Sequence, residues 1–357
     1  MTRAGGEASH RGDEKSLWES MLTEAMRKNR LPDSTVVFVG PKGCGKSSLV
    51  DTFQANTAPQ SSLPTPTASA PAHTAPPTAA GSKAGDGQGL QPEGGASSRG
   101  FHPVLAYSYF DATDPAEQDG GADDSPARVS VWCCSELEFE GMLSTVLKPE
   151  DLPQTLVVVG LDLSRPWELM EAAQQWLKVV ERHVAALAAK LSVGAQDDLR
   201  RAVREHVRTK YAAGPAEEAT LGEGVLERNL GVPLVLACCK ADSLQSETFE
   251  QQRRLHFVQQ HLRRLCLKYG AALTYTSAKE GTNCVQLQRY ILSRLHPEAI
   301  PFTEGGQVSD AVFIPSGWDS ERLTAALLSA EKAPWGPAAA FADVIKAPAG
   351  ATAGGRR

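Results

Sequence analysis

Gly40-Pro41-Lys42-Gly43-Cys44-Gly45-Lys46-Ser47 fits the pattern G-x-x-x-x-G-K-[ST], and those residue types at that spacing describe a phosphate cradle. Gly40, Gly43 and Gly45 permit backbone angles and close approaches that turn successive N–H groups toward an anion at the positive end of a helix dipole. Lys46 would reach the β- and γ-phosphates of a nucleotide, and the Ser47 hydroxyl would ligate Mg²⁺. Cys44 and Ser48 complete the candidate set at this loop. The alternative is a Gly-rich turn that has kept its shape and lost its ligand.

Two later stretches have the chemistry to read a base. Cys239-Lys240-Ala241-Asp242 follows an apolar run where GTP-binding proteins carry N/T-K-x-D, and Thr276-Ser277-Ala278-Lys279 follows the next run where they carry S-A-K. A carboxylate at Asp242 would accept two N–H bonds from guanine, and bonds to charged acceptors contribute roughly 1.5–3 kcal/mol. Cys239 stands in place of an amide or hydroxyl that would brace the loop, a loss of about 1 kcal/mol. The plainer reading is a strand-to-helix loop capped by Asp242 or Ser243. Lys240, Asp242, Ser277 and Ala278 are the candidate base-side residues. The expected ligand is a purine nucleotide, GDP or GTP ahead of ATP or ADP, with Mg²⁺ at Ser47.

Groups that would drive hydrolysis are harder to find. A nucleotide switch needs D-x-x-G after the strand opposite the phosphate loop, and the corresponding stretch reads Val131-Trp132-Cys133-Cys134-Ser135-Glu136, continuing to Gly141 without an Asp. The preceding segment, Phe101 to Phe110, offers no threonine to close on a γ-phosphate and metal. Asp162, at the end of Leu156 to Leu161, is either a metal-holding carboxylate or, the favoured reading, the cap of a turn into the following helix. No Gln or Arg marks itself as catalytic, so binding without significant turnover is expected and no catalytic residue is assigned.

The elements that must position these loops alternate strand and helix. Thr35–Val39, Leu156–Val159 and Leu234–Cys238 are short apolar runs of the kind buried on both faces of a parallel sheet, and Ala272–Thr276 supplies another strand. Trp176, Val180, Val184, Leu187 and Leu191 recur at helical spacing after the helix start Ser164-Arg165-Pro166. Val258, Leu262, Leu265 and Tyr269 repeat the pattern before Gly270. The sum is an α/β domain with a mostly parallel sheet covered by helices. Leu199, Val203, Val207 and Tyr211 add an amphipathic helix that a minimal sheet of this kind does not need. Phe313 and Ile314 are expected in the core, whereas Trp318 is equally suited to core or surface.

Composition sets the boundaries. Of 357 residues, 41% are apolar and 22% charged, enough for a sizeable core. An N-terminal tail and helix occupy 1–33, with Trp18, Met21, Leu22 and Met26 forming an apolar stripe over Leu17–Met26. The phosphate-loop domain starts over 34–55. Residues 56–100, rich in Ala, Pro, Thr, Ser and Gly, read as a disordered insertion. The domain resumes over 101–346, with a loop at Asp111–Ala127, and a flexible tail follows at 347–357. The N-terminus lacks the apolar stretch of a signal peptide and no run suits a membrane span, so a soluble intracellular protein is expected. The 7 cysteines have no CxxC spacing and read as buried reduced thiols. A net charge of -6 gives little attraction to nucleic acid, anionic membrane or the acidic surface of a microtubule.

Several stretches together resemble the light intermediate chains of cytoplasmic dynein. They are Leu163-Ser164-Arg165-Pro166-Trp167, Asn229 through Val235, Lys240-Ala241-Asp242, Tyr269 through Ser277, and Asp310 through Asp319. Their order and separation follow the family pattern from about Leu17 to Lys346, the insertion apart. The resemblance implies a Ras-like domain serving as a motor subunit, with nucleotide in a structural role. It implies binding to the dynein heavy-chain tail and association with other dynein subunits, in the cytoplasm and on the cytoskeleton. The family's long C-terminal region, which carries a short helix for cargo adaptors, is expected to be absent or a stub after Arg357, so adaptor binding does not carry over. The subunit of the ciliary retrograde motor, at the cilium or basal body, stays open as an alternative, as does an active small GTPase switch.

Overall fold

The computed structural model describes residues 32–57, 105–113, 115, 127–213, 220–244, 249–308, 311–325 and 340–348. The chain divides into one unit of residues 1–57 and 104–357 and a second, Ala58–Pro103, and every described residue belongs to the first. The stripe over Leu17–Met26, most of the insertion, most of the Asp111–Ala127 loop and the tail beyond residue 348 lie outside the described residues.

Seven strands form one sheet: β1 (Ser34–Val39), β2 (Leu105–Asp111), β3 (Arg128–Cys134), β4 (Thr155–Asp162), β5 (Leu234–Cys239), β6 (Ala272–Thr276) and β7 (Phe313–Ile314). Their spatial order is β2-β3-β1-β4-β5-β6-β7. The central pairings are parallel, and the two edge strands run antiparallel, β2 to β3 and β7 to β6. The expected runs thus become strands because only a position covered on both faces shelters them, and every residue of β4, β5 and β6 is buried.

Alternation along β1 sends its side chains into two cores. Val36 and Phe38 join the core beneath α1 (Lys46–Thr57), whose Leu49, Val50 and Phe53 point inward. Val37 and Val39 join the core beneath α2 (Leu169–Ala188), where Trp176, Val180 and Val184 form the anticipated stripe. The helix α3 (Val193–Ala213) is the additional one, and it packs Val203, Val207 and Tyr211 against Leu267 of α4 (Phe249–Tyr269). On the α1 side lies α5 (Cys284–Leu295), tied by Asn56 Nδ2 donating to Gln288 Oε1 at 2.9 Å. Asn56 and Thr57 therefore end α1. The α2 helix stops at Ala188, so Leu191 packs on the core from the following turn instead.

Phe313 and Ile314 are buried, as expected, whereas Trp318 is half-buried. The Trp318 ring lies flat on Gly306, where a Cβ would fall 2.4 Å from it. A bidentate pair, Arg263 Nε and a terminal nitrogen to the two Asp319 oxygens at 2.6 Å each, fastens this last segment to α4. All seven cysteines are buried with no disulfide among them. Among the described residues no helix is long and apolar enough to cross a membrane.

Candidate nucleotide-binding site

The phosphate loop leaves β1 at Gly40 and enters α1 at Lys46. Three of its residues have φ values that L side chains rarely adopt: Gly40 at 149°, Gly43 at 73° and Gly45 at 110°. Gly40 also presses against β4, because a Cβ there would sit 2.2 Å from the Gly160 carbonyl oxygen. Lys46 is 4% exposed, and its Nζ donates to the carbonyls of Gly40 at 2.9 Å and Pro41 at 2.8 Å. The ammonium is thus held inside the curl of the loop. Ser47 and Ser48, the next residues of α1, are exposed.

Gly160 is a residue that sequence reasoning passed over. A Cβ on it would fall 2.8 Å from Lys46 Cγ and 3.1 Å from Cys44 Sγ, so its bare backbone leaves the room in which the Lys46 stem lies. The available signal was a glycine inside an otherwise apolar strand, which marks a close approach of another group.

The base-side loops leave the ends of β5 and β6, neighbours in register with Cys239 opposite Thr276. Lys240 takes the left-handed conformation, φ 63°, and starts the tight turn Ala241–Leu244. Ser277 Oγ donates to Asp242 Oδ1 at 2.8 Å, orienting the carboxylate, and Lys279 Nζ stands 3.9 Å from Oδ2. Gly45 brings the two halves together, since a Cβ there would lie 3.0 Å from Cys239 Cβ. One cleft of ≈ 400 Å³ results, lined by Gly45, Ser48, Cys239, Lys240, Asp242 and Ala278 among others, with the newcomers Asp51, Thr52 and Lys279. That volume falls within the usual range of small-ligand pockets. Ser277 stands behind Asp242 as its brace.

Asp162 caps a turn, as favoured. Its Oδ1 accepts from the Ser164 N–H at 3.0 Å and the Ser164 hydroxyl at 2.5 Å, and its Oδ2 accepts from Lys240 Nζ at 2.7 Å. Burial works against its charge, but the bonds from Lys240 and Ser164 outweigh it and hold the carboxyl below its ordinary value. The Lys240 link, from one strand end to the next, was not legible in the sequence. Burial, reinforced by the Cys44 thiol, pushes the Cys239 thiol up to about 12, and burial does the same to Cys133 despite the nearby Lys46. These thiols stay protonated at neutral pH and offer no nucleophile.

Does this site fit a purine nucleotide and Mg²⁺? A lysine seated in a glycine-permitted loop, exposed hydroxyls at a helix start and an oriented carboxylate across a single cleft are the donor set that a nucleoside phosphate requires. For Mg²⁺ the available protein oxygen is the Ser47 hydroxyl, the remaining ligands being phosphates and water. Among the described residues no group of three or more His, Cys, Asp or Glu side chains converges as a metal centre.

The strand order, the antiparallel β2 edge and the loop between β1 and α1 define a P-loop domain of Ras-like architecture. A family model described as dynein light intermediate chain matches residues 95–353, and the chain belongs to that family. The cytoplasmic dynein 1 light intermediate chain 1 of Gallus gallus is 30% identical over 346 residues, 90% of this chain and 57% of the relative. Its Homo sapiens counterpart is 29% identical over 344 residues, 89% of this chain and 57% of that one. The chain thus spans less than two thirds of the length of these relatives. Among solved structures, the conserved domain of a dynein light intermediate chain superposes with a TM-score of 0.57 at 21% identity. That match covers 84% of this chain and 86% of that one, a likeness of fold.

Proposed function

We propose that the chain is a non-catalytic accessory subunit of a cytoplasmic dynein motor, binding the heavy-chain tail and supporting microtubule-based transport, with a purine nucleotide held as a structural ligand. The observation that carries the nucleotide half is the single cleft shared by Gly45, Ser48, Lys240 and Asp242, next to the loop that holds Lys46, in a chain of this family. The subunit role rests on that membership, and the relatives named above are cytoplasmic dynein 1 chains, which favours the cytoplasmic over the ciliary motor. Guanine is favoured over adenine because Asp242, braced by Ser277, offers two acceptor oxygens to a donor edge that adenine lacks. Slow turnover follows from Cys134-Ser135-Glu136 at the end of β3, where a switch protein would place its Asp.

The test is affinity purification of the full chain from its native cell, with identification of co-purifying proteins and extraction of bound nucleotide, for wild type and Lys46→Ala. Expected are a cytoplasmic dynein heavy chain with both proteins and GDP or GTP with wild type alone. A ligand at a hundredfold excess over Kd adds about 2.7 kcal/mol of stability, so Lys46→Ala should also melt earlier. Absence of any heavy chain overturns the subunit role. Recovery of only a ciliary heavy chain reassigns the motor, and unchanged melting with and without nucleotide overturns the structural ligand.

A further inference from the structure

The elements beyond a minimal sheet frame a second, open-mouthed cavity. It measures ≈ 440 Å³ and lies between α3, the C-terminal half of α5, the loop from Pro297 to Gly305 and the segment after β7. Ile314 pairs with Leu273 near the start of β6, so the following residue, Pro315, stands at the opposite end of that strand from the phosphate loop. This cavity is therefore separate from the nucleotide cleft.

Its walls are closely built. Gly317, at φ 80°, lies so close to α3 that a Cβ would meet the Val207 carbonyl oxygen at 2.6 Å, and Trp318 is pressed onto Gly306. Tyr290 and Phe302 meet edge to face with centroids 5.2 Å apart. Together with Trp318 they give the cavity an aromatic lining.

The polar groups on this lining differ in how they are paired. His206 Nε2 is buried without a hydrogen-bond partner. Lys210 Nζ donates to the Phe302 carbonyl at 3.2 Å, and among the described residues no carboxylate pairs with it. Arg294 is not among the lining residues, but its charge is felt by both His206 and Tyr290. The acid on the rim, Glu304, is engaged by Arg289 at 3.0 Å and by the Gln286 amide at 2.5 Å. Burial first, then Arg294 and Lys210, drive His206 down to about 2, so its ring is neutral. A neutral imidazole retains one N–H to donate, and an unsatisfied buried polar atom is costly unless something meets it.

We propose that this cavity binds a small molecule bearing an oxyanion, phosphate or carboxylate, on an apolar body. The oxyanion is received by His206 and Lys210, and the body rests on Tyr290, Phe302 and Trp318. A lining cation without a carboxylate partner and an unpartnered imidazole supply attraction and direction, and the aromatic wall supplies apolar burial.

The test uses the full chain with ¹³C-labelled histidine, read by NMR. The His206 ring resonance is assigned as the one missing in His206→Gln, and the probes are phenyl phosphate, inorganic phosphate, benzoate and uncharged phenol. Expected is a saturable shift of that resonance with phenyl phosphate, half-complete at about tenfold lower concentration than with inorganic phosphate. Lys210→Met should weaken it by about tenfold or more, a change worth at least ~1.4 kcal/mol. Lys210→Arg keeps the charge and should retain the response, which guards against a loss caused by misfolding, and Lys46→Met should retain it also. A stronger response to benzoate than to phenyl phosphate assigns a carboxylate, and the reverse a phosphate. The proposal is overturned if the resonance ignores all three anions, if phenol moves it equally, or if Lys210→Met responds like wild type.

Discussion

Replacing Gly160 with alanine should weaken nucleotide binding while leaving the fold standing, and the contacts set the size of the effect. The new methyl would lie 2.8 Å from Lys46 Cγ and 3.4 Å from Lys46 Cδ. Relaxing to an ordinary carbon–carbon distance of about 3.6 Å moves the lysine stem by most of an ångström. The Nζ bonds to Gly40 and Pro41 start at 2.9 and 2.8 Å, so that movement strains at least one of them and displaces the ammonium from the loop. Loss of one charge-assisted bond to phosphate costs about 1.5–3 kcal/mol, roughly ten- to a hundredfold in affinity. Stability without ligand should fall less. Overpacking costs about 1–3 kcal/mol, and removing a glycine from the unfolded chain returns about 0.4–1 kcal/mol. Gly40→Ala is the contrast, because its methyl would meet the Gly160 carbonyl oxygen at 2.2 Å, which is backbone and cannot step aside, at a φ of 149°. That variant should lose about 3 kcal/mol or more. The assay is titration with fluorescent GDP beside urea unfolding of the unliganded proteins. Wild-type affinity in a folded Gly160→Ala protein would refute the claim that this glycine makes room for Lys46.

Asp242→Asn should erase the preference for guanine, about ten- to a hundredfold, because one acceptor becomes a donor facing guanine's own donors. Fluorescent GDP and ADP titrations read it, and equal binding of both by wild type would contradict the assignment. Arg263→Met should destabilise by about 3–5 kcal/mol, since it strands the carboxylate of Asp319, itself 6% exposed, and Arg263→Met with Asp319→Leu should recover most of that in urea melts. Asp162 has a folded-state pKa below its ordinary value of 3.8, so its contribution is present above that value and lost as pH falls through the folded pKa. Asp162→Asn should therefore be less stable than wild type at neutral pH, and the gap should narrow below about pH 4 in denaturant titrations across that range. A gap independent of pH would show that Asp162 acts by packing alone.

The chemistry of the cleft was largely legible in the chain because it depends on short-range order. A glycine-lysine-serine loop needs only the strand before it and the helix after it, and Thr35–Val39 and Ser48–Phe53 declare both by composition. Asp242 and Ser277 were legible one loop at a time, since each ends an apolar run with recognisable residues. The bond between them, 2.8 Å across 35 residues, follows from β5 and β6 being neighbours in the sheet. Gly160 and the Lys240–Asp162 pair escaped notice because neither belongs to a local pattern. Their roles come from strand adjacency, β4 lying between β1 and β5.

The amino-acid sequence by itself therefore determined the central strands and the long helices that cover them, where the phosphate loop turns and which family the chain resembles, because periodicity, glycine spacing and motif order are properties of contiguous residues. Only the tertiary structure decided that the loops share one cleft, that Lys46 lies over a bare glycine of β4, and that α3 with the segment after β7 frames an aromatic-walled cleft lined by His206 and Lys210. The physical reason is that burial, hydrogen-bond partnership and electric field at a side chain are set by residues far away in the chain, brought near by the order in which the strands assemble.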